Sequence, residues 1–249
     1  MLKSISTSIT LAQSDFKLRN ENSVLGIFWY LLDPILMFAL LYLVFNDRIG
    51  QNIHCYPLQL IIGIVFFNFF QKATSDATGA IVNNGQLLHT FPFPPAVLVL
   101  SIIVKHLIGH AIEWVLCLLI FAYYGWLSCY LFYYPLLICA FLVFILGLSF
   151  TLAALSVYIS DIIYLYSFFL RLLWLATPIF YSIDGQSRLY LLNLFNPIYY
   201  YITAGRELFV YQHSPSILII GGAIFYAILS LCVGVCIFNK LQLRFAERL

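Results

Sequence analysis

Six long apolar runs, separated by short polar breaks, set the pattern of this chain. They cover about residues 27–45, 56–70, 96–124, 132–158, 162–180 and 217–238. A helix needs about 20 mainly apolar residues to cross a bilayer, so the pattern predicts six transmembrane helices. The second helix is expected to continue past its span, through Lys72 and Asp76, to about Val82. Residues 1–23 are polar but periodic. Leu2, Ile5, Ile9, Ala12 and Phe16 fall at helical spacing, with Lys17, Arg19 and other polar side chains between them. That is an amphipathic helix suited to the interface plane or to a partner's surface.

The stretch 177–212 breaks the pattern. It is apolar enough for a membrane and too interrupted to cross one. Pro178 and Pro197 each remove a backbone donor and restrict the preceding residue, and Asp184-Gly185 signals a turn. Arg188, Arg206 and Glu207 add charge. Two short apolar pieces remain, about 189–195 and 198–210. Irregular backbone at membrane depth must be buried in protein or line a watery cavity. Two readings stay open at this point: a pair of re-entrant half-helices guarding a path, within 185–210, or an outer loop carrying a surface-lying helix.

Composition narrows the class. Of 249 residues, 63% are hydrophobic and 9% charged, whereas soluble domains carry about 25% charged residues. This is an integral membrane protein, read as a single all-α domain over 1–249. A net charge of +2 gives no argument for nucleic acid. The six cysteines lack metal or redox spacing and read as packing residues. Cys55 and Cys129 fall on the same expected outer side, which leaves room for a disulfide. The start lacks the apolar core of a signal peptide. Six spans put both termini on one side. With both inside, Lys3, Lys17, Arg19, Lys72, Lys240, Arg244 and Arg248 are cytoplasmic, and Arg48, Arg188 and Arg206 lie outside. The positive-inside rule favours that orientation, with 83–95 cytoplasmic and 185–210 facing out.

Candidate chemistry is sparse. Arg171 sits mid-span, where an unpaired cation costs at least about 2.5–3.5 kcal/mol. It must pair, with Glu113 or Asp161, or line a path. His106, His110 and Glu113 share one helix face, but no HExxH base accompanies them, and no metal site is expected. No glycine is followed by lysine, which excludes a Walker A loop. No Ser/His/Asp or Cys/His arrangement emerges, so the chain is not expected to be an enzyme or to hold a cofactor. Aromatic residues make up 18%. They read either as interfacial belts or as the walls of a path on which sugar faces stack.

Five segments carry a resemblance when taken in order: FKLRNENSVLGIFWYLLDP, NNGQLLHTFPFPPAVLVLS, YISDI, WLATPIFYS and FNPIYYYITAGRELF. Together they resemble the permease subunit of type-2 ABC exporters, in the branch that exports O-antigen-like polysaccharides, with teichoic acid exporters close by. The resemblance spans nearly the whole chain. It implies a homodimer in the bacterial inner (plasma) membrane, paired with two copies of an ATP-binding subunit that holds Mg-ATP. It implies a path at the dimer interface for a polysaccharide on an undecaprenyl-type lipid.

The resemblance also assigns roles. Gln86, Leu87, Leu88, His89, Phe91 and Phe93 match the segment that couples to the ATPase. Phe16, Lys17 and Arg19 belong to the interface helix. Asn196, Pro197, Tyr199, Tyr200, Tyr201, Arg206 and Glu207 belong to the outward gate. Phe66, Phe70, Arg171 and Trp174 are candidates for lining the path. Asp33 before Pro34, and His89, depart from the usual pattern of the family. A type-2 exporter of another cargo is the main alternative. An ion-coupled carrier, which also uses broken helices, is a weaker one.

Overall fold

The computed structural model describes Thr10 and residues 28–90, 93–183 and 187–248. The interface-helix residues Phe16, Lys17 and Arg19 lie outside them, as does Phe91. Among the described residues the fold is all helical, with no strand. In chain order the helices are α1 (Trp29–Phe45), α2 (Tyr56–Thr78), α3 (Gly85–Thr90), α4 (Ala96–Tyr123), α5 (Tyr134–Tyr158), α6 (Ile162–Ala176), α7 (Ser187–Leu194), α8 (Pro197–Phe209) and α9 (Ile217–Leu241), with a last turn, α10 (Phe245–Arg248).

Among the described residues, four helical stretches are long and apolar enough to cross a membrane: Tyr56–Thr78, Ala96–Tyr123, Cys129–Tyr158 and Ile217–Arg244. Helices α1 and α6 are apolar but shorter, at 17 and 15 residues. Helix α2 continues past residue 70 as expected, but ends at Thr78, where Gly79 follows, rather than near Val82; a separate 3-10 turn covers Val82–Asn84. The span expected at 162–180 is shorter: α6 stops at Ala176, where Thr177 turns extended ahead of Pro178.

Local chemistry accounts for the other boundaries. Cys55 takes a left-handed conformation, φ 48°, and Pro57 then occupies the first turn of α2, where no backbone donor is needed. Pro135 starts α5 in the same way. Ser216 Oγ accepts from the Ile219 amide at 3.4 Å and caps α9.

Helix α2 is the hub. Of its most apolar 18-residue window 78% is buried, against 22% for Ile217–Arg244. It packs on α1, α4, α5, α6 and α8. The most extensive interhelical contact joins α5 to α9. Gly147 and Gly234 face each other there, so closely that a Cβ on either would run into the other helix's backbone. Small residues let helix backbones meet where lipid offers no hydrophobic drive to association. Ser230 Oγ adds a bond to the Phe144 carbonyl at 2.9 Å.

Side chains on the outer faces of α1, α6 and α9 are large and apolar, among them Leu36, Leu40, Phe168, Leu172, Phe225 and Ile228. Contiguous exposed apolar surface of this extent fits contact with lipid or a second protein.

Candidate transport path and gate

The broken stretch forms two short helices joined by a tight corner. At that corner Asn196 Oδ1 accepts from the Ile198 amide at 3.1 Å, capping α8, and Pro197 fills its first position. The same side chain's Nδ2 donates to Thr177 Oγ1 at 2.8 Å. One buried amide therefore starts α8 and ties it to the end of α6.

The far end of α8 is tied to the same place. Arg206 is only 8% exposed. Its Nη2 donates to the Ile179 carbonyl at 2.7 Å and its Nε to the Gln59 carbonyl at 3.4 Å. These carbonyls lie in the turn after α6 and in the first turns of α2. Backbone carbonyls thus supply part of what a buried cation needs.

The three tyrosines of α8 take different positions. Tyr201 is fully buried, donates to the Ala223 carbonyl at 2.7 Å and packs on Phe141, ring centroids 4.6 Å apart. Tyr200 donates to the Leu194 carbonyl at 2.8 Å and closes over Gly222, where a Cβ would collide with its ring. Tyr199 lines a polar cleft of about 280 Å³ with Gln59, Tyr181, Arg206, Glu207 and Tyr211. Glu207 accepts from the Ser216 amide at 3.1 Å, which joins α8 to the cap of α9.

Charges on α1, α2 and α4 pair across helices. Lys72 on α2 reaches Asp33 on α1 at 2.7 Å and Glu113 on α4 at 3.1 Å. Asp76 on α2 meets Lys105 at 3.0 Å and His106 at 2.8 Å, both on α4. Glu113, named from sequence as a partner for Arg171, is thus taken by Lys72. Arg171 is exposed and donates Nε to its own helix, to the Ser167 carbonyl at 3.4 Å. His110 is buried face-on against Phe69, centroids 4.5 Å apart. The three residues that share a face of α4 therefore look to three different partners. Cys55 and Cys129 are free thiols, not a disulfide.

The aromatic path candidates separate. Phe66 is wholly buried, stacked on Phe141 at 5.6 Å. Phe70 reaches the inner wall of an apolar groove of about 500 Å³ beside α6 and α9. Arg171 and Trp174 line a cleft of mixed polar and apolar walls between α1, α2 and α6.

Comparison with known proteins agrees with this architecture. The family described as ABC-2 type transporter matches residues 8–210. The chain belongs to that family. It is 30% identical over 209 residues to an O-antigen export system permease protein RfbA of Myxococcus xanthus, covering 82% of this chain and 80% of that protein. It is 28% identical over 248 residues to an O-antigen export system permease protein RfbA of Klebsiella pneumoniae, covering 96% and 93%. A second Klebsiella pneumoniae protein of that name is 26% identical over 243 residues. This is a multi-pass membrane permease.

Within that frame the segment after α2 is compact. Asn84 Nδ2 donates to the Ala80 carbonyl at 2.8 Å, and α3 follows immediately. Gln86 and Leu87 are exposed, Leu88 packs on the core and Phe93 is half-buried; the side chain of His89 is outside the described part. Sequence reasoning missed Asn193, Thr177 and Gln59, buried polar residues around α8. Their signal was available: a polar residue beside a proline or opening an apolar run is unusual at membrane depth.

Proposed function

We propose that this chain is the membrane subunit of an ATP-driven exporter that moves a lipid-linked, O-antigen-like polysaccharide across the bacterial plasma membrane. The observation that carries the reading is the match to an O-antigen export permease over 96% of the chain. Two copies enclose the path, and two ATP-binding subunits supply hydrolysis from the cytoplasm. In each copy α1, α2, α4, α5, α6 and α9 are the six spans, with both termini inside. Helices α7 and α8 are the re-entrant pair at the outer mouth.

Mechanical continuity supports this arrangement. Residues 83–95, with Gln86, Leu87, Leu88, His89, Phe91 and Phe93, dock on the ATPase between the inner ends of α2 and α4. Those helices are cross-linked by the Asp76–Lys105, Asp76–His106 and Lys72–Glu113 contacts. The outer end of α2 bears on Arg206 of the gate through the Gln59 carbonyl. A push at α3 thus reaches α8 through one rigid helix. Asn196, Pro197, Tyr199, Tyr200, Tyr201, Arg206 and Glu207 set the resting geometry of the mouth. The residues on open clefts, Arg171 and Trp174, face the path, and Phe70 backs a groove beside it; Phe66 supports them from the core.

The test is purification in mild detergent after expression from the native locus, with an ATPase assay on whatever copurifies. A stoichiometric ATP-binding subunit with turnover is the expected result. A lone, ATPase-silent protein would favour an ion-coupled carrier.

A further inference from the structure

Helix α2 is buried along almost its whole length, yet four successive open positions in its inner half are polar: Asn68, Gln71, Lys72 and Ser75. Spacings of three, one and three place them on a single face. Most of that stripe opens into a cleft of about 440 Å³ whose other walls are Asp33 and Met37 on α1 and Leu170, Arg171, Trp174 and Leu175 on α6. A polar stripe on an otherwise apolar, protein-packed helix faces water or a polar ligand.

The charges in this cleft are unevenly satisfied. Lys72 already holds two carboxylates, Asp33 and Glu113. Among the described residues, no carboxylate lies within ion-pair distance of Arg171; its Nε donates to the Ser167 carbonyl at a long 3.4 Å. Arg171 keeps most of its fork for something outside the protomer.

We propose that Arg171 binds the phosphate group of the lipid-linked substrate, with the adjoining sugar on Trp174. This deepens the export reading and rests on its topology. A guanidinium fork matches phosphate oxygens in a bidentate way. Asn68 and Gln71 stand opposite as neutral donors. Trp174 lies one turn further along α6, half-buried and braced by Phe180 at 5.4 Å between ring centroids. Its remaining face is free for a sugar ring.

Depth is consistent with a lipid phosphate. At 1.5 Å per residue, Asp33, Lys72 and Arg171 lie about 6, 9 and 14 Å from the cytoplasmic ends of their helices. That ladder runs from the inner headgroup layer toward the membrane centre. Size argues against a side chain of a second copy as occupant, because one carboxylate would leave most of the cleft empty.

The experiment uses the purified full-length protein in neutral nanodiscs. Retention of radiolabelled undecaprenyl phosphate is measured for wild type, R171Q, R171K and W174A. Undecaprenol, phosphatidylglycerol and inorganic phosphate are the competitors. R171Q is expected to weaken retention by about ten- to a hundredfold, the value of one charge-assisted hydrogen-bonded pair. R171K should lose much less, and W174A should leave the bare phosphate lipid bound. Undecaprenol and inorganic phosphate should not compete.

Wild-type retention in R171Q would overturn the proposal, as would equal competition by phosphatidylglycerol. So would conversion of R171Q to a monomer, which would show that Arg171 pairs with the second copy. Surface polysaccharide in a deletion strain tests the export reading separately. Normal glycan there with intact R171-dependent binding would refute the cargo and leave the phosphate site standing.

Discussion

Arg206 and Ile179 are joined by a 2.7 Å hydrogen bond from guanidinium to backbone carbonyl, and this bond ties α8 to the turn that follows α6. Asn196 makes the matching tie to Thr177 at the other end of α8. The segment 177–179 is thus gripped twice, by residues near the two ends of α8. Helix α8 and the end of α6 form one body, and opening the mouth without moving α6 requires breaking both grips.

Replacing Arg206 with methionine should leave the carbonyls of Ile179 and Gln59 unsatisfied. A hydrogen bond to a charged group is worth about 1.5–3 kcal/mol, and the 3.4 Å bond to Gln59 counts for less than the 2.7 Å bond to Ile179, so a loss of about 2–4 kcal/mol is expected. R206K should recover part of it, because one ammonium reaches fewer acceptors. Thermal unfolding in detergent reads the loss. Leakage of a small dye from proteoliposomes reads the gate: R206M should leak and R206K should leak less. A tight, fully stable R206M protein would remove Arg206 from the gate.

Asn196 does two jobs that substitution can separate. N196A loses both the cap and the Thr177 contact and should cost about 1–2 kcal/mol. N196S keeps a neutral acceptor for the Ile198 amide and should cost less. Hydrogen exchange of the first turn of α8 distinguishes them, with N196A exchanging fastest. Equal exchange in the two variants would mean that the cap contributes little.

The Lys72 pairs differ in burial, and the mutants should differ accordingly. Glu113 is 2% exposed at its side chain, whereas Asp33 is 53% exposed. K72M strands a buried carboxylate and should destabilise by about 3–5 kcal/mol. D33N should cost under about 1 kcal/mol. The double variant K72M/E113Q should recover much of the K72M loss. Failure of that recovery would show that Lys72 acts through Asp33 or the cleft instead.

The α5–α9 crossing predicts a contrast between glycines of similar hydropathy. A Cβ at Gly147 or Gly234 meets backbone of the opposite helix, while at Gly221 nothing lies within 4 Å. G147A and G234A should each lower the unfolding temperature or the yield of folded protein, as overpacking costs about 1–3 kcal/mol. G221A should be neutral or slightly stabilising, since alanine favours helix by up to about 1 kcal/mol. Equal behaviour of all three would contradict the close crossing.

Docking at the coupling segment is tested at Phe93. F93D should abolish partner-dependent ATPase stimulation and export while the protein still inserts and folds. Normal export by F93D would remove Phe93 from the docking surface.

Much of the fold was legible in the sequence because apolar runs and proline breaks are local signals. Pro57, Pro135 and Pro197 start helices where they stand, and the pieces at 189–195 and 198–210 became α7 and α8 with ends shifted by a residue or two. Helix α2 was expected to pass through Lys72 and Asp76, and it does. Partners were less legible. Periodicity places Glu113 on a face of α4, but nothing local says whether α2 or α6 covers that face, so Lys72 was missed and Arg171 was named instead. Two acceptors of Arg206 are backbone carbonyls, which carry no residue signature. The aromatic excess could not be divided into core and cleft until neighbours were known: Phe66 and Trp174 look alike along the chain and sit in opposite environments.

The most direct measurement is where the polysaccharide sits when this chain is deleted from its native strain. Export through this permease predicts loss of surface glycan and accumulation of lipid-linked polymer on the cytoplasmic side. Both should be restored by the wild-type chain and by neither F93D nor a catalytically dead ATP-binding partner. Unchanged surface glycan in the deletion strain would contradict the account.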